Sequence, residues 1–399
     1  MSDVCRITPD SDFLRGVLAE GGEDLKKCFQ CATCSVVCDL ARDTAPFPRK
    51  EMIWAQWGLK DRLVADPDVW LCHQCNDCST RCPRGARPGD VMAAIRRETV
   101  LHYAVPRFLG RWANQPKYVP LLLGIPALLL GLVLLMGAAI PGNYPASLGH
   151  GTKIVFSYWN RLPQWVLMGF FGLFTLLALA AGIAGVVRFW RAMKAADARA
   201  GNTAVAKGLG PSIVAALRRI LTHDDFGVCT AERRRWVSHF CVFYGFAALF
   251  AVSVWVMTAR YNPLIPDDFV YPFSFWSPWR MLANLGGVLL TAGCLLMIWD
   301  RLREREHPVA GRFSDWALLA TLLAVVLSGF LSEMLHYLRM EPHREIVYFI
   351  HLVLVFALLI YLPYSKLAHL AYRAAAMVYA EHTGRTRRTP PMHESDGHS

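Results

Sequence analysis

The sequence predicts an all-α protein: a helical, cysteine-rich N-terminal module followed by a six-span transmembrane helix bundle. Three observations carry this. Nine of the twelve cysteines fall in the first 82 of 399 residues, eight of them in two tight runs. Apolar residues make up 54% of the chain and gather after residue 117 in runs long enough for a bilayer, which asks about 20 apolar residues of each helix. The formal charge of +11 comes from Lys and Arg lying between those runs. That is a membrane-topology pattern, and it sets aside nucleic acid as a partner.

Taken in order, residues 1–30 mix Asp, Glu, Lys and Arg and offer no apolar stretch of the kind that marks a secretory signal. The first cysteine run is Cys28-x2-Cys31-x2-Cys34-x3-Cys38. The second is Cys72-x2-Cys75-x2-Cys78-x3-Cys82, followed by Pro83. Three cysteines in this rhythm wrap one face of a [4Fe–4S] cubane, and the fourth of each run reaches the other cluster. Cluster I is expected to take Cys28, Cys31, Cys34 and Cys82, and cluster II Cys72, Cys75, Cys78 and Cys38. Structural zinc is the alternative, but it needs four ligands per site and no three-residue rhythm. An odd nine cysteines in one segment argues against a disulfide framework. Thiolates kept for metal place the module, residues 1–117, in a reducing cytoplasm. Cys5 stands outside both runs and reads as a free thiol. Asp39 follows the first run where proline is usual, which alters the turn and removes no ligand. The spacer 39–71 reads as helix with Ile53, Trp54, Trp57 and Leu63 facing inward, so the module is a helical ferredoxin type.

Spans are predicted near 118–140, 165–187, 236–258, 281–299, 316–338 and 346–368. Glu333 and His336, near the end of the fifth, either reach the interface or have a task there. With the module inside, the inner connections 188–235 and 301–314 and the tail 366–399 carry 19 Lys and Arg. The outer connections 141–164, 259–280 and 339–345 carry 6. This asymmetry predicts a multi-pass protein of the prokaryotic cytoplasmic membrane with both termini inside. The domains follow: 1–117, the di-cluster module; 118–164, the first span and outer loop; 165–372, the histidine-bearing bundle; 373–399, a polar tail. The basic connection 188–235 is expected to form one or two surface helices on anionic lipid or against a partner, with a solvated linker as the alternative. The tail beyond Arg385 has the composition of a disordered segment. The aromatic runs 158–165 and 271–279 read as interfacial belts, with a quinone pocket as the alternative.

Four histidines, His239, His336, His351 and His369, occur within or at the ends of spans. His351 and His369 are eighteen residues apart. On one helix that is five turns, so they share a face about 27 Å apart along the axis, one near each membrane surface. Such a helix can ligate two stacked b haems, each iron taking a second imidazole from a facing helix. His239, at the inner start of the third span, is expected to pair with His369, and His336 is the candidate partner of His351 at a similar depth. The alternative for each is a hydrogen bond to a neighbouring helix.

The runs "CFQCATCSVVC" and "CHQCNDCSTRCPRGARPGDV" closely resemble the iron–sulfur module of the heterodisulfide reductase C type. Residues from about 165 to 370 resemble the haem b membrane subunit of respiratory nitrate reductases and its relative in heterodisulfide reductase. The fusion of both in one chain resembles the C subunits of quinone-interacting membrane-bound oxidoreductase (Qmo) complexes, over nearly the whole length. The resemblance implies two [4Fe–4S] clusters, one or two b haems, and soluble flavin- and iron–sulfur-containing subunits. It also implies a link between the quinone pool and adenylylsulfate (APS) reductase in dissimilatory sulfur metabolism. Nitrate-reductase-type subunits carry two histidines about ten residues apart on the span matching 236–258. Here His239 matches the first, and Leu249 stands at the second, so the outer haem lacks its family ligand.

The expected function is an electron wire between quinone and a cytoplasmic oxidoreductase, with no catalytic side chain in this chain. The lack of a Gly-rich dinucleotide fingerprint agrees, since no flavin or nicotinamide site is needed here. The competing readings are a subunit of a sulfite-linked or heterodisulfide-type complex and, in another class, a haem-free membrane anchor with structural clusters.

Overall fold

The computed structural model describes residues 8–138, 164–202, 204–223, 233–259, 262–265, 274–303, 313–340 and 342–385. Among these the chain forms helices and their connections, with one isolated bridge between Arg42 and Ala45 and no strand. The all-α expectation is borne out. Cys5, the aromatic run 158–163, residues 271–273 of the second aromatic run and the tail beyond Arg385 lie outside the described residues. The chain divides into two compact units that are not contiguous in sequence.

The first unit gathers residues 1–107, 182–232 and 367–399. Six short helices, α1 (Ser11–Val17), α2 (Thr33–Val36), α3 (Arg49–Gln56), α4 (Lys60–Leu63), α5 (Asp68–Leu71) and α6 (Asp77–Thr80), precede the longer α7 (Pro88–Tyr103). α1 starts at Asp10, whose carboxylate accepts the Phe13 N–H at 2.8 Å, a standard N-cap. α7 starts with Pro88, whose preset φ suits a first turn. The core joins Val17, Met52, Trp70 and Ile95 to Phe189 and Met193 of α10 (Gln164–Arg199) and to Tyr372 and Ala376 of α16 (Ala368–Thr383). Trp70 stacks on Tyr372 with ring centroids 5.2 Å apart. Between those two helices in sequence, α11 (Leu209–Thr222) forms in the basic connection.

The spacer is helical as expected, but its inward face differs. α3 buries Glu51, Met52 and Ala55, while Ile53 and Trp54 are half-buried and Trp57 is 51% exposed. The helix stops at Gln56, and Gly58 turns the chain with φ +61°. Trp57 still closes the ladder onto the Ile53 carbonyl at 3.0 Å, so at 100° per residue it shares the face of Ile53 and Trp54, opposite the buried one.

The second unit gathers residues 108–181 and 233–366. Its helices are α8 (Arg107–Ala113), α9 (Val119–Ala138), the first part of α10, α12 (Arg233–Ala259), α13 (Pro278–Arg303), α14 (Phe313–Leu338) and α15 (His343–Tyr361). Among the described residues six helical stretches are long and apolar enough to cross a membrane, at Pro116–Met136, Trp165–Arg199, Arg234–Ala259, Pro278–Arg303, Phe313–Leu338 and His343–Thr383. Each coincides with a predicted span. α12 and α13 approach closely through glycine. A Cβ at Gly245 would lie 2.6 Å from the Leu290 nitrogen, and one at Gly293 would lie 2.8 Å from the Ser238 oxygen. Small residues at such crossings let backbones meet where lipid removes the hydrophobic drive for association.

Candidate metal centre

The two cysteine runs repeat one backbone conformation. Gln30 and Ala32 have φ of 59° and 69°, and Gln74 and Asn76, at the matching positions, have φ of 53° and 68°. Four non-glycine residues in the left-handed region cost of order 1 kcal/mol or more each, and persist where the surroundings demand them. Alternating right- and left-handed residues curl backbone N–H groups into a concavity suited to an anionic group, iron–sulfur clusters included. A four-residue helix then follows in each run, α2 or α6, and these two helices pack together.

This packing sorts the sulfurs. Burial pushes the Cys34 thiol up to about 11, and the neighbouring sulfurs of Cys28, Cys31 and Cys82 add to the effect. Burial pushes Cys38 up to about 12, with Cys72 and Cys75 as its sulfur neighbours. Cys78 is raised by burial and then by Cys72, Cys38 and Cys75. Cys38 thus sits among the first three cysteines of the second run, and Cys82 beside Cys34 of the first. Thiols held this high bind metal only by giving up the proton, so a strongly thiophilic group is the counterpart they fit. Among the described residues no three of these sulfurs lie within 4.8 Å of one another. Thiolates on one zinc, at about 2.3 Å each, would stand about 3.8 Å apart. The eight donors fit a multi-iron cluster better than a single ion. Local donors reach the sulfur atoms as well: Gln30 Nε2 to Cys28 at 3.5 Å, Gln74 N–H to Cys72 at 3.4 Å and Ala86 N–H to Cys82 at 3.4 Å.

A second set of metal-type ligands, Glu51, Asp66 and Asp68, lies fully inside the first unit. Its cation is part of the chain: Lys50 Nζ stands 3.0, 3.1 and 3.2 Å from the three carboxylates in turn. Arg42 and Arg385 also reach Asp68, at 3.1 and 3.4 Å. Burial, then the charge of Asp66, holds the Glu51 carboxyl well above its usual range. Burial would also raise Asp68, but Lys50, Arg385 and Arg42 outweigh it and hold this carboxyl low. Glu51 thereby releases its proton less readily than an ordinary carboxyl.

The four histidines fall in different settings. His351 on α15 places Nδ1 3.1 Å from the Val325 carbonyl and 3.0 Å from the Ser328 hydroxyl, both on α14. A carbonyl only accepts, so Nδ1 carries the proton and Nε2 keeps its lone pair, the tautomer an axial ligand needs. Gly329 makes room for the ring: a Cβ there would lie 3.2 Å from Cε1. His336 lies seven residues further along α14, about 10 Å along the axis. The two histidines are therefore not at one depth, contrary to the sequence expectation. The shared face proposed for His351 and His369 also fails. α15 ends at Tyr361, a 3-10 turn carrying Pro363 follows, and Ser365 is extended at ψ −179°. Proline lacks the N–H that would continue the ladder, so His369 belongs to α16 in the first unit. His239 lies near the start of α12 in the second unit and is half-buried.

Residues 116–391 match the family of citrate utilization protein B. The Escherichia coli citrate utilization protein B is 30% identical over 329 residues, covering 77% of this chain and 80% of the relative. The chain belongs to the citrate utilization protein B family. Within this family member, residues 24–86 match the 4Fe–4S dicluster domain, so the N-terminal module is an iron–sulfur one. It is similar to the C subunits of heterodisulfide reductases. The C subunit of the Methanothermobacter marburgensis H2:CoB-CoM heterodisulfide,ferredoxin reductase is 39% identical over 89 residues, 22% of this chain and 48% of the relative. An Archaeoglobus profundus protein similar to the heterodisulfide reductase C subunit is 42% identical over 86 residues, 21% of this chain and 46% of the relative. The chain spans about half the length of these two relatives. No solved structure matches the chain.

Sequence reasoning missed the anchors of the cysteine runs in this citrate utilization protein B relative. Gln56 donates to the Cys28 carbonyl at 3.0 Å. Arg96 and Arg373 donate to the Cys72 carbonyl at 2.8 and 3.0 Å, and Arg373 also reaches His73 at 3.1 Å. No local pattern marks them, because Gln56 is 28 residues from its partner and Arg373 is 301 residues from Cys72.

Proposed function

We propose that this chain is the membrane electron-transfer subunit of a cytoplasmic oxidoreductase, exchanging electrons between the quinone pool and soluble flavin- and iron–sulfur-containing subunits. The crossed sorting of the eight cysteines carries the reading: Cys28, Cys31 and Cys34 with Cys82, and Cys72, Cys75 and Cys78 with Cys38. These are the proposed ligands of two [4Fe–4S] clusters, which supply one-electron transfer when bound. The chain sets the two quartets apart. Cys31 is exposed beside Phe29 and Val36, which are 67% and 73% exposed, and the Thr33 hydroxyl holds the Cys31 thiol below its usual range. Cys34 and Cys72 are buried, one in each quartet, and Cys28, Cys38, Cys75, Cys78 and Cys82 are half-buried. The Cys31 corner of the first quartet is the side offered to the soluble subunits.

Haem b, as one or two groups, is the proposed electron relay of the spans, with His239, His351 and His369 as ligands. His351 supports this most directly, through its Nδ1 bond to Val325. His336 stands too far along α14 to share an iron with His351, and is proposed instead for proton exchange near the quinone. The Lys and Arg asymmetry supports both termini in the cytoplasm of a prokaryotic cell.

Two soluble partners compete. The resemblance to Qmo complexes favours a partner set serving APS reductase. Citrate utilization protein B covers 77% of the chain, against 22% for the heterodisulfide reductase relative. That favours an oxidoreductase of a citrate-like carboxylate, and this is the reading we prefer.

Iron quantitation with EPR of cysteine variants tests the core of the proposal. Cys34→Ser and Cys82→Ser are expected to lose the same cluster, about four of about eight non-haem irons, and Cys38→Ser and Cys78→Ser the other. Loss of one cluster by Cys82→Ser and Cys78→Ser together would sink the crossed assignment. A dithionite-reduced sample without b-type absorption bands would remove haem, and b-type bands unchanged in both His239→Ala and His369→Ala would remove those two ligands.

A further inference from the structure

Helix α11 is 14 residues long, about 21 Å, well short of the roughly 30 Å hydrocarbon core. It is therefore no span, yet it carries two different apolar arcs. One is docked: Ser212 and Ala216 are buried, and Ala216 and Ile220 pack with Met377 and Ala380 of α16. Lys207 and Arg219 fix that side through Glu381 at 2.9 and 3.1 Å. The other arc is uncovered. Leu209, Ile213, Val214, Leu217 and Leu221 are 49, 40, 67, 51 and 51% exposed. At 100° per residue they run through about 140°, overlapping the docked arc only at Leu209. A contiguous aliphatic patch of this kind marks a binding surface.

Three observations choose its occupant. In sequence, α11 lies between the candidate spans Trp165–Arg199 and Arg234–Ala259, so the chain leaves and re-enters the membrane on either side of it. The arc is purely aliphatic and lacks the aromatic and Met anchors that protein interfaces collect. The connection 188–235 carries ten Lys and Arg against four Asp and Glu, and Arg218 is exposed at the edge of the arc. There its stem can lie along apolar surface with the guanidinium at phosphate level. We propose that α11 is an interfacial helix whose Leu209–Leu221 arc enters the acyl boundary of an anionic leaflet, with Arg218 pairing to lipid phosphate. It fixes the first unit to the membrane surface independently of the spans.

The test uses the full-length protein in vesicles of zwitterionic lipid with or without phosphatidylglycerol. An environment-sensitive fluorescent amino acid replaces Leu217, Val214 or, on the opposite and exposed side, Thr222. Quenching by brominated acyl chains is expected to be at least threefold stronger at 217 and 214 than at 222. It should also be stronger with phosphatidylglycerol, and Arg218→Glu should erase that lipid preference. Iron content confirms that each variant is folded. Equal quenching at all three positions would overturn the proposal. So would a blue shift at 217 that appears only with soluble subunits and without bromolipid quenching, since that assigns the arc to a protein. Equal quenching in both lipid mixtures would overturn the anionic preference.

Discussion

In the first unit Trp70, Phe47, Met52 and Ile95 are fully buried beside an interior ionic group of Lys50, Glu51, Asp66 and Asp68. In the second, bulky aliphatics such as Leu128, Leu135 and Leu176 stand 64, 70 and 67% exposed, and the close contacts are made by Gly245, Gly286 and Gly293. The difference follows from the solvent each surface meets. Against water, large apolar side chains go inside, and any charge that accompanies them needs a partner. Against acyl chains, Leu gains little by turning inward, so helices associate where backbones can approach. One chain obeys both rules because it folds against two solvents.

The largest expected effect tests the interior charges. Lys50→Met leaves three buried carboxylates without their shared cation, and we expect a loss of about 3–5 kcal/mol, read by thermal or denaturant unfolding of the iron–sulfur module. A near-neutral result would mean that Arg42 and Arg385 suffice. The second unit is tested by Gly245→Ala, whose Cβ would meet the Leu290 nitrogen at 2.6 Å. Backbone cannot rotate away as a side chain can, so a cost of about 1–3 kcal/mol is expected. Gly172→Ala is the control: nothing lies within 4 Å of its Cβ, and a gain of about 0.5–1 kcal/mol is expected from helix propensity alone. Equal effects would show that α12 and α13 do not meet as described.

The smallest effect concerns pH. Glu51 is raised above its ordinary 4.5, so the folded state holds a proton that the unfolded chain has released. Its contribution is present below about 4.5 and is lost as pH rises through the folded value. Asp68 is held below its ordinary 3.8, so its contribution is present above about 3.8 and is lost as pH falls. Glu51→Gln should therefore flatten the decline on the alkaline side, keep the acid-side decline, and change stability at pH 5 by about 1 kcal/mol or less. A decline on the alkaline side that survives in Glu51→Gln would assign it to another group.

Much of this was legible in the sequence. The cysteine rhythm and the apolar runs are local signals, carried by spacing along the chain, and they mark the eight candidate ligands and all six apolar helices. The reading of Trp57 as inward failed because Ile53, Trp54 and Trp57 form one apolar face while the fold buries the opposite one, with Glu51, Met52 and Ala55. The shared face of His351 and His369 failed for a different reason. Eighteen residues make five turns only on an unbroken helix, and Pro363 breaks this one. That proline was visible in the sequence, and it was the signal to use.

The sequence by itself determined the helical class, the two four-cysteine runs and the apolar segments, since each depends on residues close together in the chain. Tertiary structure alone decided which arginines hold the Cys72 carbonyl, that Lys50 fills the acidic set, and which arc of α11 is left uncovered. Arg373 acts across 301 residues and Arg385 on Asp68 across 317. At such separations neither periodicity nor spacing carries information, and contact exists only once the chain has folded.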